Sequence, residues 1–179
     1  MGAETKEMQK QRAAKAAAAF IRDEMTIGVG TGSTVFYLIQ EIGALTAAGY
    51  NLRAVVTSES SGKLAKSLGI PLCLPEETDH IDLTIDGVDE IDGGFCSVKG
   101  GGGALMREKI VASKAKEVIW IMDESKLVKR LGGFPLPVEA LPFAYSWAAE
   151  RIGRLGGCPA LRKKMDKYFA QIMAIIYLT

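Results

Sequence analysis

The stretch TIGVGTGSTVFYLIQEIGAL (26–45) decides the fold. Its apolar start, Thr26–Gly30, reads as a short strand. Four small or hydroxylated residues, Thr31-Gly32-Ser33-Thr34, follow. Val35, Leu38, Ile39 and Ile42 then recur at helical spacing and place one apolar side on a helix over 35–45. A strand that turns at once into a helix is the first half of a βαβ unit. Working outward, residues 4–22 read as a helix whose weakly apolar face carries Met8, Ala16, Phe20 and Ile21. Downstream, strands are expected over 50–57, 70–74, 80–86 and 117–122. Helices are expected over 58–68, with Ser58 as N-cap, and over 104–114. This alternation predicts an α/β fold, a Rossmann-like, mostly parallel sheet with helices on both faces. Turn chemistry changes at Leu131-Gly132-Gly133-Phe134-Pro135. A strand over 136–140 and a helix over 143–155 then suggest a second, small α+β unit. The expected division is a catalytic α/β domain over 1–133 and an incomplete small domain over 134–179, too short for an independent core.

Composition narrows the function classes. The 179 residues suit one domain, or one plus a fragment, at roughly 100–200 residues per domain. Lys and Arg number 22 against 21 Asp and Glu, which argues against a nucleic-acid or anionic-membrane binder. A single histidine, His80, rules out a zinc site built on several histidines. Cys73, Cys96 and Cys158 are odd in number and far apart, as expected of buried thiols in a reducing compartment. The N-terminus shows no apolar signal region, and Lys6 stands where a myristoylation signal wants Ser or Thr. No apolar run approaches the roughly 18 residues of a membrane span. These features together point to a cytoplasmic protein without a membrane partner.

In open α/β sheets ligands bind beyond the C-terminal ends of the strands. Four unusual segments fall there: 30–34, Thr57–Ser60, Asp86–Glu90 and Asp123–Lys126. The first is a poor dinucleotide fingerprint, because Ser33 replaces the third glycine and no acidic residue closes the second strand. It is no Walker loop either. Its backbone N–H groups and the hydroxyls of Thr31, Ser33 and Thr34 still offer an anion site at a helix N-terminus; the alternative is a plain helix cap. Asp86-Gly87-Val88-Asp89-Glu90-Ile91-Asp92 holds four carboxylates in seven residues. It suits acid–base work on hydroxyls or, more simply, a solvated turn. Lys99 precedes four consecutive glycines, 100–103, each costly in backbone entropy. Such a run suits close approach of the backbone to a ligand, with a flexible loop as the alternative. Glu108 lies in the first turns of the helix that follows, where the dipole favours its ionised form.

Six stretches in order, GVGTGST (28–34), TSESS (57–61), DLTIDGVDEID (82–92), KGGGGALMREK (99–109), ESKLVKRLG (124–132) and PLPVEALPFA (135–144), resemble ribose-5-phosphate isomerase, type A. The resemblance implies an enzyme that interconverts ribose 5-phosphate and ribulose 5-phosphate through an enediol(ate), in the non-oxidative pentose phosphate pathway. It implies no metal and no cofactor. The small-molecule sugar phosphate would be surrounded by Thr31, Gly32, Ser33 and Thr34, by Asp86, Gly87, Val88 and Asp89, and by Lys99, Gly100, Gly101 and Gly102. Glu108 would be the proton acceptor, with Asp86, Asp89 and Lys99 completing the catalytic set. Lys126, and by weaker alignment Lys10, would help to hold the substrate. A homo-oligomer is expected of the intact family.

The resemblance implies further chain beyond residue 179. Codons can be chosen for Ala170–Thr179 that, read in a neighbouring frame, spell Thr-Asp-Asn-Gly-Asn-Tyr-Ile-Leu-Asp, a segment typical of the family. A frameshift near Phe169–Ala170 is therefore expected. It would leave residues beyond about 158 without partner strands and Ile172, Ile175, Ile176, Tyr177 and Leu178 as an exposed apolar tail. Two other function classes compete. A non-catalytic sugar-phosphate-binding module should lack one of Asp86, Lys99 and Glu108, yet all are present. A related deaminase or lactonase would use a catalytic histidine, but His80 precedes its strand. An inactive truncated product is the remaining alternative.

Overall fold

The computed structural model describes residues 4–162 and the backbone of 170–175. The chain forms two compact units, each assembled from two stretches: 1–88 with 107–126, and 89–106 with 127–179.

The first unit is built on four parallel strands: β1 (Thr26–Val29), β2 (Arg53–Val56), β3 (Ile81–Gly87) and a fourth over Ala115–Ile121. They lie in the order β2, β1, β3 and then the fourth. Helices α1 (Lys6–Ala18), α2 (Ser33–Ala47) and α3 (Glu59–Ser67) connect or flank them. Ile27, Val29, Ala54, Leu83 and Ile85 are buried in one cluster with Ala14 and Ala17 of α1, Leu38, Ile39 and Ile42 of α2, and Ala65 of α3. Val55 points the other way and shares a second cluster with Val111 of α4 (Leu105–Ser113). Helices therefore cover both faces of the sheet, as the alternation of the sequence requires. Ser58 caps α3, its hydroxyl accepting the Ser61 N–H at 3.2 Å. The strand expected over 70–74 is reduced to one parallel bridge, Ala54 to Leu72. Pro71 supplies its carbonyl to the Ala54 N–H but has no donor to extend the ladder. Among the described residues no helix is long and apolar enough to cross a membrane.

One carboxylate ties the N-terminal ends of three strands. Asp82 Oδ2 accepts the Thr26 N–H of β1 at 3.0 Å, and Oδ1 accepts the Lys116 ammonium of the fourth strand at 2.8 Å. His80 Nε2 lies 3.1 Å from the same Oδ1. Burial pushes the Asp82 pKa up, but these donors and the nearby charge of Lys116 and His80 outweigh it and hold it below the ordinary carboxylate value. A depressed folded pKa contributes stability that is complete above the unfolded value of about 3.9 and lost as pH falls through the folded one. Asp82→Asn should therefore lower unfolding stability at neutral pH by about 1 kcal/mol or less, since Lys116 is largely exposed. Denaturant titrations over a pH series should show the gap between parent and variant closing in acid. A gap independent of pH would remove the charge from this account.

The second unit opens with a two-stranded antiparallel ribbon, β4 (Glu90–Ile91) with β5 (Ser97–Val98). With these counted, the fourth strand of the parallel sheet is β6. The unit continues through β7 (Leu136–Ala140), α5 (Tyr145–Arg154), β8 (Cys158–Leu161) and β9 (Ala170–Ile175). Ile152 of α5 is buried against Val138 and Ala140 of β7. The expectation that residues beyond 158 lack partner strands is overturned. β9 is the middle strand of an antiparallel sheet, paired with β7 on one side and β8 on the other. Backbone pairing asks for an extended segment free of Gly and Pro, and Ala170-Gln171-Ile172-Met173-Ala174-Ile175 meets that demand whatever its origin. Ile176, Tyr177 and Leu178 of the expected tail lie outside the described residues.

Candidate active site

In the first unit the ends of β1 and β3 meet at Asp86. This carboxylate is 1% exposed. Its Oδ1 accepts the Thr31 N–H at 3.1 Å and the Gly87 N–H at 2.7 Å. Gly30 lies so close that a Cβ there would overlap the Asp86 carboxyl, which explains why residue 30 has no side chain. The Thr31 and Thr57 hydroxyls are 2.8 Å apart, and the Ser61 hydroxyl donates to the Gly30 carbonyl at 2.8 Å. Gly32, at φ +135°, then delivers the chain to the first turn of α2. No side chain caps that turn and no acidic residue lies in it. Ser33 is exposed there and Thr34 buried. Of the three expected hydroxyl donors, Ser33 faces solvent and Thr31 is engaged with Thr57.

Lys10 and Lys126 belong to the same unit. Lys10 donates to Glu7 Oε1 at 2.7 Å, and Tyr37 donates to Glu7 Oε2 at 2.7 Å. The Glu7 bond raises the Lys10 pKa and keeps the ammonium charged. Lys126 ends a short 3-10 turn, Glu124–Lys126, and is half-buried. Gln9 of α1 holds that turn by accepting the Glu124 N–H at 3.1 Å. Asp123, just before it, accepts from the Ser125 hydroxyl and N–H. Burial pushes the Asp123 carboxyl up, but these bonds and the charges of Lys10 and Lys126 bring it below the usual range. The structure thus brings Lys10, Asp123 and Lys126 into one electrostatic group. Glu108, in the first turn of α4, is 4% exposed. A carboxylate that deeply buried next to a helix N-terminus is shielded from water and suited to exchanging a proton with a ligand.

In the second unit the site residues gather around the glycine loop. Asp89 Oδ2 accepts the Gly101 N–H at 2.7 Å, and the Asp89 N–H donates to the Val98 carbonyl at 2.8 Å. Lys99 is half-buried beside them in sequence. Gly100 has φ +99°, a left-handed value that favours glycine, and the Gly103 N–H closes a turn on the Gly100 carbonyl at 2.9 Å. Of the loop's N–H groups, Gly101's is therefore spent on Asp89. Gly102 is exposed.

Three contributors are absent from the expected set of site residues. Glu90, 6% exposed, accepts the Gly132 N–H at 2.8 Å and the Phe134 N–H at 2.6 Å. Phe134 in turn lies against the Gly101 backbone, where an added Cβ would stand 2.8 Å from its Cζ. Arg162 donates to the Gly101 carbonyl at 2.7 Å. The acidic cluster itself was the signal for Glu90, although nothing in it separates an anchoring carboxylate from a reacting one. Arg162 and Gly101 are 61 residues apart, and no spacing rule joins them.

Residues 53–174 match the family model for ribose 5-phosphate isomerase A (phosphoriboisomerase A). The ribose-5-phosphate isomerase A of Bacillus mycoides (strain KBAB4) is 52% identical over 160 residues, 89% of this chain and 72% of that protein. Among solved structures, ribose 5-phosphate isomerase A from Neisseria gonorrhoeae superposes with a TM-score of 0.89 at 38% identity, over 95% of this chain and 76% of that one. A D-ribose-5-phosphate isomerase in complex with phospho-erythronic acid superposes with a TM-score of 0.92 at 34% identity, over 97% and 81%. By sequence and by fold, the chain belongs to the ribose 5-phosphate isomerase A family.

Proposed function

We propose that this chain interconverts ribose 5-phosphate and ribulose 5-phosphate, with Glu108 as the base that carries the proton between carbons. The observation that carries the reading is a carboxylate only 4% exposed in the first turn of the helix entered from the glycine loop. Ionised Glu108 takes the proton from C2 of the open-chain aldose, and the C1 carbonyl oxygen gathers negative charge as the enediolate forms. The same carboxyl returns the proton to C1 while the C2 hydroxyl proton passes to the C1 oxygen, which leaves a hydroxyl at C1 and the ketose carbonyl at C2. Lys99 and, in the glycine loop, the Gly102 N–H stabilise the oxyanion. Asp86, fixed by two backbone N–H groups, assists ring opening, and Asp89 holds the loop by its bond to Gly101. The α2 N-terminus at Thr31–Thr34, with Lys126 and Lys10, takes the phosphate, whose binding energy fixes the reacting carbons. A relative crystallised with a phosphorylated sugar acid is consistent with this choice of ligand.

The reading needs no metal or cofactor and sets the reaction in the cytoplasm. It takes residues 1–133 as the catalytic part and 134–179 as the start of a lid and oligomerisation domain. The test is to incubate the full chain with ribose 5-phosphate in deuterium oxide. Conversion to ribulose 5-phosphate is the expected result, with deuterium at C1 to the extent that the proton held by Glu108 exchanges with solvent before its return. Tight sugar-phosphate binding without conversion would instead favour the non-catalytic alternative.

A further inference from the structure

We propose that Arg162 is a positioning residue of this isomerase site, aiming the Gly102 N–H by fixing the Gly101 carbonyl. The proposal rests on the reading above, in which the glycine loop borders the substrate. Four glycines in succession have little conformational preference of their own, so their direction must come from outside. The Gly101 residue is held at three points. Its N–H is bound by Asp89 at 2.7 Å, its carbonyl is bound by the Arg162 guanidinium at 2.7 Å, and the Phe134 ring closes on its Cα face. Phe134 is itself fixed, because Glu90 binds the Gly132 and Phe134 N–H groups.

The Gly101 carbonyl and the Gly102 N–H belong to one peptide unit. That unit is planar and trans, and no cis bond occurs in the described chain. An N–H in a trans peptide points opposite to its carbonyl. Arg162 therefore sets the direction of the Gly102 N–H, away from itself, at a residue that is exposed. A charged donor on the carbonyl also polarises the amide and strengthens its N–H as a donor. Lysine would supply the charge without the rigid fork that fixes the plane.

The experiment compares the full chain with Arg162→Ala and Arg162→Lys. Loss of one well-aimed oxyanion donor costs about 10²–10³ in kcat. A donor that is present but misaimed should cost less, about 10–100-fold in kcat, with KM changed less than threefold. Millimolar guanidinium should restore several-fold of the lost kcat in Arg162→Ala, which a purely structural defect would not show. Hydrogen exchange at the Gly101 and Gly103 amides, read without reference to turnover, should accelerate in the variant. Unchanged exchange, or kcat within twofold of the parent, overturns the proposal. So does a loss that follows the unfolded fraction and ignores guanidinium. If the parent itself fails to isomerise ribose 5-phosphate, the functional reading fails, and the exchange result alone decides whether Arg162 holds the loop.

Discussion

Glu108→Gln should lower kcat for ribose 5-phosphate isomerisation by about 10²–10⁴-fold and leave KM within a few-fold of the parent. The amide keeps the size of the carboxyl and its place in the first turn of α4, but it cannot accept a carbon-bound proton. Because Glu108 is buried, water does not easily stand in for it. The effect should therefore sit in the chemical step, and solvent deuterium should cease to enter the product. Turnover near that of the parent would take Glu108 out of the reaction and return the choice of base to Asp86 or Asp89.

Gly30→Ala should produce the second large effect, and for a different reason. The new methyl would overlap the Asp86 carboxyl and stand 2.5 Å from the Asp86 Cβ. Asp86 has no room to retreat at 1% exposure, so either its carboxylate leaves the Thr31 and Gly87 N–H groups or β1 moves off β3. Overpacking of this kind costs about 1–3 kcal/mol. Activity should fall further than stability, because the displaced group is one assigned to ring opening. A double-mutant cycle isolates the cause: in an Asp86→Gly background, Gly30→Ala should lose most of its destabilising effect. Equal destabilisation in both backgrounds would show that the clash is not with Asp86.

The parallel sheet was legible because its strands are apolar runs that alternate with segments of helical spacing, and the turn at 30–34 is short enough to be read as one event. The β4–β5 ribbon was not, since strands of two residues carry no periodicity. β9 was not legible for another reason: resemblance reports a segment's ancestry, whereas a pair of open strand edges responds only to whether that segment can extend. The candidate site divides in the same way. Residues placed by local chain geometry, such as Gly30 and Glu108, stand in compact motifs. Residues that hold those motifs in place, such as Glu90 and Arg162, act across 42 to 61 positions and leave no mark in the local pattern.

The strand order of the small sheet also dictates a timetable. Among the described residues β7 and β8 do not pair with each other; each pairs with β9, which is synthesised after both. While the chain is being made, β7 must therefore wait through α5 and β8 with its edge unsatisfied, and the wait ends only when Ile175 has left the ribosome. At about 5–20 residues per second, the interval between Leu161 and Ile175 alone lasts roughly 1–3 s. The parallel sheet has no such debt, for its last strand ends at Ile121. The nascent protein should thus carry a finished parallel sheet while two β edges are still unpaired, the stage at which a chaperone has most to protect.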